Sequence, residues 1–166
     1  AEHSQRVELF TAIAVALARN PMTLANQAHD LQQFSGGRFV LGIGSQIEAH
    51  ITRRFSMPWS SPAARMREFV QALRAIWACW YDGQPLDFRG EFYRHTLMTP
   101  MFMPPAPQYG APRVRMGGVG PAMTEVAGEV AAGLIAHGFT SPQYMRAVTL
   151  PAIERGLASS GRQRSG

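Results

Sequence analysis

The chain contains no lysine: all 16 of its basic residues are arginine, against 11 acidic residues in a length of 166. A Gly-Lys-Ser/Thr nucleotide loop is therefore excluded. One cysteine, Cys79, cannot close an internal bridge, which excludes a disulfide-dense secreted module. Charge is sparse at 16%, yet 46% of the residues are hydrophobic, so an intrinsically disordered chain is excluded as well. No window of about 20 residues is apolar without Arg, Asp or Glu interrupting it, and no membrane partner is expected. The opening residues Ala1-Glu2-His3-Ser4-Gln5-Arg6 lead into no apolar signal core, so a reduced, cytoplasmic protein is expected. The net charge of +5 and isoelectric point near 10.3 follow from arginine staying protonated far above neutrality. The arginines are scattered, the densest groups being Arg53-Arg54 and Arg65/Arg67, unlike the clustered footprint of a nucleic-acid binder. Nucleic acid is not expected as a partner.

What is present is a recurring local grammar. An apolar run ends at small residues, a cap residue and proline follow, and a helix-period segment comes next. Val7–Val15 is a near-continuous apolar run, read as one strand buried on both faces. Asn20-Pro21 then caps a helix with Leu24, Ala28, Leu31 and Phe34 on its apolar face, stopped by Gly36-Gly37. Arg38–Ser45 is the next strand. Ser61-Pro62 caps a helix carrying Met66, Phe69, Val70, Leu73, Ile76, Trp77 and Trp80 as far as Gly83. Leu86–Tyr93 reads as a hairpin about Arg89-Gly90, and Pro100, Pro104, Pro105, Pro107 and Pro112 mark an irregular surface insertion. Arg113–Gly120 and a helix from about Ala122 to Ala132 form a third unit. Gly133–His137, with a helix from Ser141-Pro142 to about Gly156, forms a fourth. Strands alternating with helices predict an α/β protein with a parallel sheet. Residues 1–158 are expected to form the domain and 159–166 a flexible tail.

Ligands of parallel α/β proteins bind at the carboxyl ends of the strands. Glycine is dense at two such ends, Gly42-Ile43-Gly44-Ser45 and Gly117-Gly118-Val119-Gly120. Glycine lets a ligand approach the backbone, and the free amides opening the next helix favour an anion, so Gly117–Gly120 is the candidate phosphate cradle; tight turns alone explain the same glycines equally well. Neither run is a dinucleotide fingerprint, because Ile47 and Met123 stand where the third glycine belongs. No histidine pair has metal-ligand spacing, so no metal is expected. His29, beside Asp30, reads as a packing or surface residue, whereas His137 at a strand end is the weak candidate for catalysis. Cys79, in the strongest helix, reads as a small buried apolar residue. Ser45 has no Gly-x-Ser-x-Gly elbow around it, which leaves a hydrolase triad unsupported.

The ordered set Asn20-Pro21, Phe34-Ser35-Gly36-Gly37-Arg38-Phe39-Val40-Leu41-Gly42-Ile43-Gly44, Asp87-Phe88-Arg89-Gly90-Glu91-Phe92-Tyr93 and Gly117-Gly118-Val119-Gly120-Pro121 resembles the bacterial-luciferase-like superfamily. Within it the chain is most similar to the deazaflavin (coenzyme F420)-dependent oxidoreductases, over residues 7–157. The resemblance implies part of a (β/α)8 barrel of TIM type, with about four βα units plus the hairpin and proline-rich insertion. It implies an oxidoreductase moving a hydride between a small organic substrate and a deazaflavin, with an FMN-dependent monooxygenase as the alternative. By the same resemblance a non-prolyl cis peptide in a bulge backs the cofactor ring, best matched at Ala14-Val15. Gly42, Gly44 and Ser45 then line the ring or ribityl chain, and Gly117, Gly118, Val119 and Gly120 hold the phosphate. Some sugar-phosphate-oxidising relatives carry an acid after the Gly-x-Gly; Ile47 stands there in this chain, with Glu48 one place on. A full barrel takes about 250 residues. Matched to the family pattern, the chain starts just before the third strand and stops before the seventh, so a half-barrel fragment with two exposed edges is expected, inactive alone. A homodimer is compatible with this reading, and a truncated, non-catalytic barrel is the reading from a different functional class.

Overall fold

The computed structural model describes residues 2–164. In chain order the elements are β1 (Leu9–Phe10), β2 (Ala14–Val15), α1 (Pro21–Phe34), β3 (Phe39–Gly44), α2 (Pro62–Asp82), β4 (Phe88–Arg89), β5 (Arg94–His95), β6 (Arg113–Gly117), α3 (Pro121–Val130), β7 (Gly133–Ile135), α4 (Pro142–Tyr144) and α5 (Leu150–Ser159). β1, β3, β6 and β7 run parallel in that order, with β2 also on β3, while β4 and β5 form a separate antiparallel pair. Strand order follows chain order without the reversal of a doubly wound sheet, and consecutive helices pack side by side, α1 on α2, α2 on α3 and α3 on α5. That is the wall of a (β/α) barrel. Among the described residues β1 and β7 each pair on one side only.

Alternation along the strands separates two faces. Phe39, Leu41 and Ile43 of β3, with Val114 and Met116 of β6, join the buried cluster formed with the helices. Gly42, Gly44 and Gly117 alternate with them and point to the opposite face. The α2 stripe read from the sequence is all core: Met66, Phe69, Val70, Leu73 and Ile76 are fully inaccessible. Each such large side chain stabilises the fold by about 1.5–3 kcal/mol on burial. Cys79 is buried beside them, as its context predicts. α2 ends at Gly83, which adopts the left-handed φ of 68° that a C-terminal glycine tolerates.

Several expectations need correction. Val7–Val15 is not one strand. Leu9 and Phe10 pair with Phe39 and Val40, but Ala14 and Val15 pair with Ile43 and Gly44, so four steps on this strand match three on β3. The extra residue is a β-bulge. The cis peptide lies inside it at Ala12-Ile13, not at Ala14-Val15. On α1, Asn20 caps as predicted, its side chain accepting from the Met22 N–H at 2.8 Å, but Leu31 and Phe34 are not on the buried face, being 46% and 82% exposed. At about 100° per residue the buried arc runs through Leu24, Ala28, Gln32, Ala25 and His29, leaving Leu31 at its edge and Phe34 outside it.

Two polar residues occupy that arc because both are satisfied. The Gln32 amide accepts from the Phe39 N–H at 3.1 Å and donates to the Gly110 carbonyl at 2.9 Å, and His29 Nδ1 lies 2.9 Å from the Tyr81 hydroxyl. His29 is thus a packing residue, edge-on to Trp80 and Tyr81. Ser61 supplies no side-chain cap to α2; its own φ is 40°. The hairpin turn sits at residues 90–93, later than Arg89-Gly90, because the Glu68 carboxylate accepts from the N–H groups of Glu91, Phe92 and Tyr93 at 2.9, 2.8 and 2.6 Å. The proline-rich stretch is irregular apart from one short turn at Pro100–Phe102.

The last helix starts at Ser141-Pro142 but passes through a π-turn, Met145–Thr149, before α5. The chain is held beyond α5 as far as Arg162, whose guanidinium donates to the carbonyls of Gly128 and Glu129 at 3.2 and 3.3 Å. Of the tail, Ser165 and Gly166 lie outside the described residues, as does Ala1. No helix is long and apolar enough to cross a membrane, and no group of three or more His, Cys, Asp or Glu side chains could hold a metal ion, both among the described residues.

Candidate functional site

The bulge is held by Thr11. Its hydroxyl donates to the Gly42 carbonyl at 2.7 Å and accepts from the Gly42 N–H at 3.1 Å. The chain closes in so far that a Cβ at Gly42 would stand 1.8 Å from the Thr11 carbonyl oxygen. Past Thr11 the Ile13 side chain lies across two strand ends, where a Cβ would stand 2.9 Å from its Cδ1 at Gly44 and 3.1 Å from its Cγ2 at Gly117. The bulge thereby lays an apolar floor over the C-terminal ends of β3 and β6.

Above this floor opens a cleft of about 640 Å3 lined by Ala12, Ile13, Gly44–Ile47, Gly117–Gly120, Met123 and Ile135–Gly138. Its size is that of a small-molecule site. One wall is the loop Gly117–Gly120 running into α3, and the helix starts with Pro121 at N1. The first-turn N–H groups of a helix have no intrahelical partner and carry the positive end of its dipole. A Cβ at Gly120 or Gly138 would meet nothing within 4 Å. Packing does not require glycine at those two places, and the space beside them is free for a ligand. Not one Asp or Glu side chain lines the cleft, so no carboxylate in it repels an anion. Ile47 and Val119 line it while 60% and 52% exposed, and Phe139, 94% exposed, lines the adjoining cavity.

His137 follows β7 and lines both this cleft and an adjoining cavity of about 490 Å3, which also shares Val119. Its Nδ1 accepts from the Phe139 N–H at 3.3 Å, so the neutral ring carries its proton on Nε2. The other large cavity, about 620 Å3 and lined by Arg74, Trp77, Tyr81, Tyr109 and Arg113, lies at the entry end of β6, away from the strand carboxyl ends where parallel sheets bind ligands.

The structure brings Gly44, Ser45, Gly117, Gly118, Val119, Gly120 and His137 of the sequence-derived set to one cleft. Ala14 and Val15 are not there; they are ladder residues of β2 beyond the bulge, and Ala12 and Ile13 take the place at the cleft expected for them. Gly42 is not at the surface of the cleft either, because the Thr11 backbone and Ile135 cover it. Gln46 and Gly138, which the sequence places at the same strand ends, line it too, whereas Met123, Ile135 and Ala136 were not singled out from the sequence. Ile135 and Ala136 were legible as flanking His137; Met123 carried no signal beyond its position in the first turn of α3.

The comparisons agree with this architecture. The profile of the family described as Luciferase-like monooxygenase matches residues 1–166, and the chain belongs to that family. It is 59% identical over 165 residues, 99% of this chain and 48% of the relative, to an uncharacterized protein of Mycobacterium tuberculosis (strain ATCC 25618 / H37Rv). It is 30% identical over 166 residues, 96% of this chain and 46% of the relative, to an F420-dependent glucose-6-phosphate dehydrogenase of Nakamurella multipartita. An F420-dependent secondary alcohol dehydrogenase solved with an F420-acetone adduct superposes with a TM-score of 0.78 at 22% identity, over 98% of this chain and 48% of that one. The chain thus spans about half the length of the curated relatives it matches.

Proposed function

We propose that the cleft binds the ring and phosphate of a deazaflavin, and that the protein takes part in hydride transfer between that cofactor and a small organic substrate. The observation that supports this reading is the cleft's division of labour, with an apolar floor of Ile13 over Gly44 and Gly117 at one end and the carboxylate-free loop ending at the open Gly120 at the other. A planar ring suits the first and a phosphate the second. When bound, a deazaflavin supplies a two-electron carrier that accepts or returns a hydride at C5.

The chain's own residues have three tasks in this reading. Ile13, Gly44 and Gly117 form the floor against which the ring rests, and the bulge keeps water from the side facing the sheet. Val119, Gly120 and the first turn of α3 offer N–H groups to the phosphate. His137, its Nδ1 occupied by the Phe139 N–H, offers Nε2–H as a hydrogen-bond donor that can orient a substrate hydroxyl or carbonyl oxygen. Ile47, in place of an acidic residue, leaves that part of the rim apolar.

An FMN-dependent monooxygenase shares the same binding groups, and the description of the matching family favours it as the second reading. Fluorescence titration of the protein with each cofactor separates the two. Saturable deazaflavin binding is the expected result; tight FMN binding with none to the deazaflavin overturns the first reading.

A further inference from the structure

We propose that Tyr144 is a positioning residue for the phosphate loop, an inference that rests on the cofactor reading above. Tyr144 stands outside the loop, at the end of α4, and its hydroxyl donates to the Val119 carbonyl at 3.1 Å. A peptide unit is planar and trans, so the Val119 carbonyl and the Gly120 N–H point in opposite directions. Anchoring the carbonyl to Tyr144 turns the Gly120 N–H the other way and stops the peptide from flipping. A flip would present the carbonyl oxygen, an acceptor, to an incoming phosphate. Among the described residues no other hydrogen bond reaches this peptide, the Thr124 N–H at 3.0 Å holding only the next one at the Gly120 carbonyl; Val119 is 52% exposed, and no atom lies within 4 Å of a Cβ position at Gly120.

The support for Tyr144 is itself rigid. Ser141 caps its turn, accepting from the Tyr144 N–H at 3.2 Å. The helix continuing from that turn is packed backbone to backbone on α3, since a Cβ at Gly156 would stand 1.9 Å from the Glu125 carbonyl oxygen and one at Gly128 would stand 2.4 Å from that of Ile153. Tyr144 thus ties the loop that opens α3 to the helix locked against α3. The hydroxyl, not the ring, carries the effect.

The test compares wild type and Tyr144→Phe in binding two ligands, the deazaflavin cofactor and the same deazaflavin nucleoside without its phosphate. Should wild type prefer flavin, FMN and riboflavin form the equivalent pair. Loss of one neutral hydrogen bond predicts roughly three- to tenfold weaker binding of the phosphate-bearing member, unchanged binding of the phosphate-free member, and an unchanged circular-dichroism spectrum. An unaltered ratio of the two affinities, whether both fall together or neither moves, overturns the role of Tyr144 while leaving the cofactor reading intact. A wild type that binds none of the four overturns the cofactor reading and this inference with it.

Discussion

Glycine does opposite things on the two sides of the cleft. On the bulge side, Gly42, Gly44 and Gly117 are glycine because the protein itself fills the space a Cβ would take, with the Thr11 backbone at 1.8 Å and Ile13 atoms at 2.9 and 3.1 Å. On the loop side, Gly120 and Gly138 face open space, with nothing within 4 Å. Packing of the bulge requires glycine in the first set and does not require it in the second. Residue type is the same in both, so only the surroundings tell a crowded glycine from an open one.

The sharpest way to break this contrast is Gly42→Ala. No side chain can yield there, because the colliding atom is a backbone oxygen, and a loss of about 3 kcal/mol is expected in urea unfolding. A variant of wild-type stability would remove the bulge side of the comparison. Thr11→Val tests the same region more gently by deleting a hydroxyl that both donates and accepts; it should cost about 1–2 kcal/mol.

Acidification probes α1 through His29 and the hairpin through His95, and should be indifferent to either set of glycines. Burial holds the His29 imidazole below its ordinary value, against an opposing pull from Asp30, and burial alone does the same for His95. Both bind a proton more readily in the unfolded chain. Their contribution to stability is therefore complete above the unfolded value of about 6.5, is lost as the pH falls through it, and levels off below the depressed folded values. The melting temperature should drop between about pH 7 and pH 5, and His29→Asn should flatten that drop.

The smallest effect on stability is expected at Gly120→Ala. Its φ of -72° suits any residue, and the weaker N-cap is offset by reduced freedom in the unfolded chain, for a net change under about 1 kcal/mol. Its effect should surface in binding, as weakened affinity for the phosphate-bearing cofactor alone. A large loss of stability at Gly120, or none at Gly42, would collapse the distinction between the two sides.

The elements most legible in the sequence were those whose signals are local. Asn20-Pro21, Gly83 and Ser141-Pro142 mark helix ends through bonds that span a few residues, and the apolar stripe from Met66 to Trp80 is core throughout. The bulge left no such mark, because Val7–Val15 is apolar on both sides of it and the hydroxyl that holds it reaches 31 positions along the chain. The buried arc of α1 was misjudged for a similar reason. Gln32 is buried because Gly110, 78 positions away, accepts from it, and His29 because Tyr81 meets it. The site was half legible: glycine density pointed to both strand ends, but the residues flooring the cleft, Ala12 and Ile13, lay two positions before the pair expected.

The sequence by itself determined the alternation of strands and helices, the helix limits and the clustering of glycine at the strand ends, because turn chemistry and apolar period act over a few residues. Only the tertiary structure decided where the first strand breaks, which polar side chains are buried, and which glycines are crowded and which open. Those outcomes depend on atoms brought together from distant parts of the chain, and a residue's type does not record what will stand beside it.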